Sequence, residues 1–96
     1  MYVKMKRLIV PGDLCTLNQT VYYESVDPMA AKKGVIFKPT IITVIAINIT
    51  LPAHFRCGIC DFIVLCDAGV IRIPYGIRSI TVSNPQHDGF VMSVIA

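Results

Sequence analysis

The run Ile41-Ile42-Thr43-Val44-Ile45-Ala46-Ile47-Asn48-Ile49-Thr50-Leu51 limits what this chain can fold into more than any other part of it. Most of its residues are β-branched. Such side chains lose χ1 freedom in a helix and suit the pleated surface of a sheet, so a long strand is expected. Successive side chains on a strand point to opposite faces. Ile41, Thr43, Ile45, Ile47, Ile49 and Leu51 therefore form one set, and Ile42, Val44, Ala46, Asn48 and Thr50 the other. The first set is expected to face the core. The first half is apolar in both sets, which suggests a central strand covered on both sides.

The rest of the chain is cut into short segments by turn formers: Pro11-Gly12, Asp27-Pro28, Gly34, Pro52, Gly58, Asp67-Ala68-Gly69, Pro74, Gly76, Pro85 and Gly89. Residues 62–66 and 70–73 read as the arms of a hairpin, with Asp67-Ala68-Gly69 as its turn. Pro74-Tyr75-Gly76 is expected to make a tight corner, with a 3₁₀ turn as one form of it. Ile77 and residues 80–82 would start another strand, and residues 90–95 would form the last. At the front, residues 3–10, 14–17 and 20–24 suit strands. The one candidate helical turn is residues 28–33, capped by Gly34, and it reads equally well as a loop. The expected fold class is all-β: a small barrel or compact sandwich of about six to seven short antiparallel strands. Residues 1–96 are expected to form one domain.

Composition bears on what such a domain does. Of its 96 residues, 54% are hydrophobic and only 16% are charged, where about 25% charged is usual. A domain of this size has little interior, so some apolar surface should remain outside, and such surface usually marks a contact with a partner. Self-association or a larger protein assembly is the partner expected. The formal charge of +3 is a weak basic bias, spread over Lys4, Lys6, Arg7, Lys32, Lys33, Lys38, Arg56, Arg72 and Arg78. A solvated surface explains it. Binding of nucleic acid is the alternative, and it requires Lys38, Arg56, Arg72 and Arg78 to gather on one face with an exposed aromatic ring. Most of the aromatic residues are expected to pack in the core. The apolar stretch after Lys4, Lys6 and Arg7 stops at Pro11-Gly12-Asp13, too short for a signal peptide. Residues 39–53 are uncharged but shorter than the roughly 20 apolar residues of a spanning helix. No membrane contact is expected, and a cytoplasmic location is.

Four cysteines are present. Cys57 and Cys60, separated by Gly58 and Ile59, resemble half of a zinc knuckle, and His54 with Cys66 or Cys15 could complete four ligands. Cys60 and Cys66 share a strand face, but at about 3.3 Å per residue they stand some 20 Å apart. Ordinary buried or partly exposed thiols are therefore expected, with a small zinc module as the alternative. A redox dithiol lacks the helix that would lower its pKa. The sequons at Asn18 and Asn48 are read as chance. His54 and His87 are the only histidines, and no nucleophile elbow, phosphate loop or dinucleotide fingerprint occurs. Asp13, Glu24, Asp27, Asp61, Asp67 and Asp88 lie mostly at turns, which accounts for them. No catalytic, cofactor-binding or metal-binding residue is assigned, and no cofactor is expected.

The stretch Leu8-Ile9-Val10-Pro11-Gly12-Asp13-Leu14-Cys15-Thr16-Leu17 resembles the opening of SH3-like small barrels, where a Pro-Gly-Asp-Leu step leads into the first strand. Residues 62–82 look like the hairpin and closing turn of the same family, which includes accessory proteins of tailed bacteriophages and translation-associated barrels. Residues 27–39 are long for a barrel loop, and the tail after Ser83 adds a strand that could pair with a neighbour. The resemblance implies a non-enzymatic structural or accessory protein, with a phage virion or phage-encoded component as its specific form.

Overall fold

In the computed structural model, the described residues are 8–27, 29–30, 32–50, 58–77, 88–89 and 91–95. They contain seven strands and no helix: β1 (Leu14–Leu17), β2 (Val21–Ser25), β3 (Lys33–Ile36), β4 (Ile41–Thr50), β5 (Gly58–Cys66), β6 (Gly69–Ile77) and β7 (Met92–Val94). All pair antiparallel in one sheet, in the order β3-β2-β6-β5-β4-β1-β7. The protein is thus an all-β domain. The strands at the two ends of the sheet are β3 and β7.

One face of the sheet makes the core. Cys60, Phe62 and Val64 of β5 are buried, as are Ile71 and Ile73 of β6, and Cys15 and Leu17 of β1. Strict alternation puts these side chains on one side and Ile63, Leu65, Val70 and Arg72 on the other. The β5–β6 turn is as expected. Asp67 and Ala68 form it, and Gly69 follows with φ +92°, a conformation that is strained for any residue with a Cβ.

In the first half of β4 the inward set is the opposite of the one expected. Ile42 and Val44 are buried, whereas Ile41 is 61% exposed and Ile45 is also exposed. The cause is a bulge. Val44 pairs with Val64 and Ala46 with Ile63, which leaves Ile45 as an extra residue. After it Ile47, an odd position, turns inward and packs against the core, while Ile49 near the strand's end is exposed. The strand is also covered on one side only.

Two further expectations change. Pro74 is not a corner: β6 runs through it, and Pro74 pairs with Asp61. Proline has no N–H to donate, and here none is needed on one side, because β2 pairs with β6 only at Ile71 and Arg72. Lys33 belongs to a strand rather than to a helical turn. The link before it is a turn in which Ala30 N–H donates to the Asp27 carbonyl (3.0 Å) and Met29 N–H to Asp27 Oδ1 (2.9 Å). The expected strands at residues 3–7 and 80–82 lie outside the described residues.

The tail pairs within its own chain. Cys15, Thr16 and Leu17 of β1 face Val94, Ser93 and Met92 of β7. The Pro11-Gly12 turn also docks on the sheet. Asp13 N–H donates to the Val10 carbonyl (3.2 Å), Gly12 N–H to the Val44 carbonyl (2.7 Å), and Val44 N–H to the Asp13 carbonyl (2.9 Å). The buried Asp13 carboxylate accepts the Val10 N–H at 2.8 Å. Gly12 has φ +98°, as the third residue of a Pro-Gly turn requires.

Candidate interaction surfaces

The cysteines do not form a site among the described residues. Cys15 and Cys60 are buried in the core, on β1 and β5. Cys66 is half-buried, and its thiol points to the Gly69 carbonyl at 3.8 Å. No group of three or more His, Cys, Asp or Glu among the described residues could hold a metal ion. His54 and Cys57 lie outside those residues. Burial, and then the neighbouring Asp61 carboxylate, push the Cys60 thiol up to about 11. At neutral pH it keeps its proton, and a thiol in that form neither attacks nor ligates.

The outer face of the sheet is where apolar side chains meet water. Along one line across the strands, Leu14 stands opposite Thr43, Thr43 opposite Leu65, and Leu65 opposite Val70. Leu65 is 48% exposed and Val70 50%. Ile41, two residues from Thr43, lies on the same face, so the patch spans β1, β4, β5 and β6. Cross-strand neighbours stand about 4.5–5.5 Å apart at Cβ, so these side chains form one continuous surface.

The next line across the sheet is charged. Ala46, Ile63, Arg72, Glu24 and Lys33 follow one another on β4, β5, β6, β2 and β3. The Arg72 guanidinium pairs with the Glu24 carboxylate and reaches both oxygens of Asp61 at 3.5 Å. Arg72 is thus held by two carboxylates, which leaves it poorly placed to meet a phosphate. Arg56 and Arg78 lie outside the described residues. Lys38 adjoins Phe37, which is 70% exposed, and Tyr22 on β2 is 77% exposed. Phe62 packs in the core as expected, and Tyr23 and Tyr75 pack against it. Tyr22 and Phe37 depart from the core role expected of most aromatics. A cleft of about 610 Å³ opens where Lys32 and Lys33 approach Val70 and Ala68.

The two edges of the sheet differ. In β7, Val91, Ser93 and Ile95 direct their backbone groups toward β1, with Asn18 N–H donating to the Val91 carbonyl and Ile95 N–H to the Leu14 carbonyl. The outward groups belong to Met92 and Val94. The preceding turn takes two of the four: Gly89 N–H donates to the Met92 carbonyl (2.8 Å), and Val94 N–H donates to Asp88 Oδ1 (2.7 Å). In β3, Ser25 N–H donates to the Lys32 carbonyl (2.8 Å), which fixes the alternation. Gly34 and Ile36 then face β2, and the N–H and C=O of Lys33 and Val35 point away from the sheet. No described strand pairs with that edge.

Sequence reasoning missed Lys32 and Lys33 as edge residues. It held the signal for the outer patch, since Leu65 and Val70 alternate with the core positions. Comparison of the chain with family models, with curated proteins and with solved structures gives no match in any of the three.

Proposed function

We propose that this chain is a non-enzymatic structural or accessory domain that works through protein–protein contacts, with self-association through the outer face of the sheet as the primary contact. The observation that carries this reading is the patch of Ile41, Leu65 and Val70, each about half exposed or more, in a chain with few charges to cover it. The SH3-like resemblance of residues 8–17 and 62–82 adds the specific form, a phage virion or phage-encoded component. Light scattering across a concentration series tests the contact. The wild type should exceed the 10.6 kDa of one chain. The double variant Ile41→Lys, Leu65→Lys should return to it. A wild type that stays monomeric at high concentration overturns self-association.

A second reading, nucleic-acid binding, is supported by the proximity in sequence of Lys32, Lys33 and Lys38 to the exposed Phe37, with Tyr22 on the adjoining strand. It requires binding to single-stranded RNA or DNA that weakens steeply with salt. Absence of binding at low salt removes it.

A further inference from the structure

We propose that β3 is a docking edge for an extended, acidic segment of a partner protein, which adds as an eighth strand to the seven of the sheet. The proposal rests on the reading of the chain as a protein-interaction domain, but it uses the edge of the sheet rather than the outer face.

Three features converge on this edge. The first is backbone chemistry. The N–H and C=O of Lys33 and Val35 point outward, so the edge offers two donors and two acceptors at strand spacing. The opposite edge offers only half of such a ladder, because the Asp88-Gly89 turn occupies Val94 N–H and the Met92 carbonyl. Among the described residues, one edge is partly closed by its own turn and the other is open.

The second feature selects the occupant. Lys32, Lys33 and Lys38 are exposed, and none is in an ion pair with a described residue. Lysine on an edge is a common device against pairing between identical chains. A second copy of β3 would bring like charge against like charge, which disfavours that pairing. A strand carrying Asp or Glu meets no such repulsion and gains from the same lysines. The device that discourages a second copy thus favours an acidic guest.

The third feature sets the guest's pattern. Lys33 and Val35 display their side chains on the outer face, in line with Glu24 and Tyr22. Guest residues opposite them fall on that face. An acid opposite Lys33 and an apolar residue opposite Val35 match what is offered, with Tyr22 next to the latter. The guest therefore has acid and apolar residues at alternate positions.

The test uses the full chain and a capped peptide, Thr-Glu-Thr-Val-Thr-Glu-Thr, with a control in which Lys replaces each Glu. Amide exchange by NMR reads the edge. The acidic peptide should slow exchange at Lys33 and Val35 by about tenfold or more, and the lysine peptide should not. Val35→Pro removes one outward donor and no hydrogen bond to β2, so the fold should persist while peptide binding weakens by about tenfold. Lys32→Glu with Lys33→Glu keeps every backbone group and should reverse the preference to the lysine peptide. The proposal is overturned if both peptides bind alike or if protection falls elsewhere. It is also overturned if Lys33 and Val35 become protected with rising protein concentration and no peptide, which identifies a second copy, or if a thymidine oligonucleotide displaces the peptide from this edge. Failure here with self-association still lost in the Ile41→Lys, Leu65→Lys variant leaves the outer-face reading intact.

Discussion

The β5–β6 hairpin has two faces built on one ladder. Inward, Phe62 and Val64 lie opposite Ile73 and Ile71, all buried. Outward, Leu65 lies opposite Val70 and Ile63 opposite Arg72, and water reaches them. The two sets are similar in composition, and both are rich in branched apolar residues. The inner set gains from burial and close packing, while the outer set stays partly in water. Hydropathy is therefore a poor guide to which residues hold this fold together, and position on the ladder is a good one.

The largest test of that contrast is Phe62→Ala. Truncating a buried ring should cost about 3–5 kcal/mol in urea unfolding. Leu65→Ala, one face away, should stay within about 0.5 kcal/mol for the monomer. Equal losses would mean that the outer face is covered, and the contrast would fail.

Titration gives the next effect. An ordinary cysteine releases its proton near 9.0, and Cys60 in the folded chain near 11. Between those values the unfolded chain holds fewer protons, so stability falls as pH rises. The contribution is fully present below 9.0 and is lost on passing 11, by about 2–3 kcal/mol. Unfolding curves of the wild type and Cys60→Ala across this range isolate it, and parallel curves would refute it. Cys66, half-buried on the same face, should react with a thiol reagent before Cys60 does.

The smallest effect belongs to the outer charges. Arg72→Met should change stability by about 0.2–1 kcal/mol, because the Arg72, Glu24 and Asp61 side chains are partly in water. The difference from wild type should shrink in high salt. A larger, salt-insensitive loss would place this cluster with the inner face in importance.

Much of this architecture could be read in the sequence, and the failures have physical causes. The β5–β6 hairpin was legible because Asp67-Ala68-Gly69 separates two strictly alternating arms. The strand at residues 14–17 was legible from the Pro-Gly break before it. The facing of Ile42 and Val44 was not, because alternation cannot register an inserted residue, and nothing in the composition of Ile45 marks it as extra. Pro74 misled because a proline reads as a break unless the absence of a neighbouring strand is known. The edges were illegible for a related reason. Whether Lys33 lies at a margin or between two strands depends on strand order, which pairs β2 with β6 across more than forty residues of chain. The outer patch was foreseeable as a consequence of too many apolar residues, and alternation marks Leu65 and Val70 for it, but the place of Ile41 beside them was not legible, because the bulge inverts its facing.

The bulge at Ile45 makes β4 a strand of two parities. Up to Val44 the even-numbered residues point inward, and from Ile47 the odd-numbered one does. Removing one residue at this point would merge the halves into a single phase. With Ile45 itself removed, Ile47 would stay inward opposite Phe62 and Asn48 outward opposite Asp61, while the register with β1 stayed as it was. Removing Ala46 as well would turn Ile47 outward, opposite Ile63, and bring the polar Asn48 against Phe62. The ladder already carries one residue too many at this point, so loss of Ile45 alone should be tolerated better than loss of two residues.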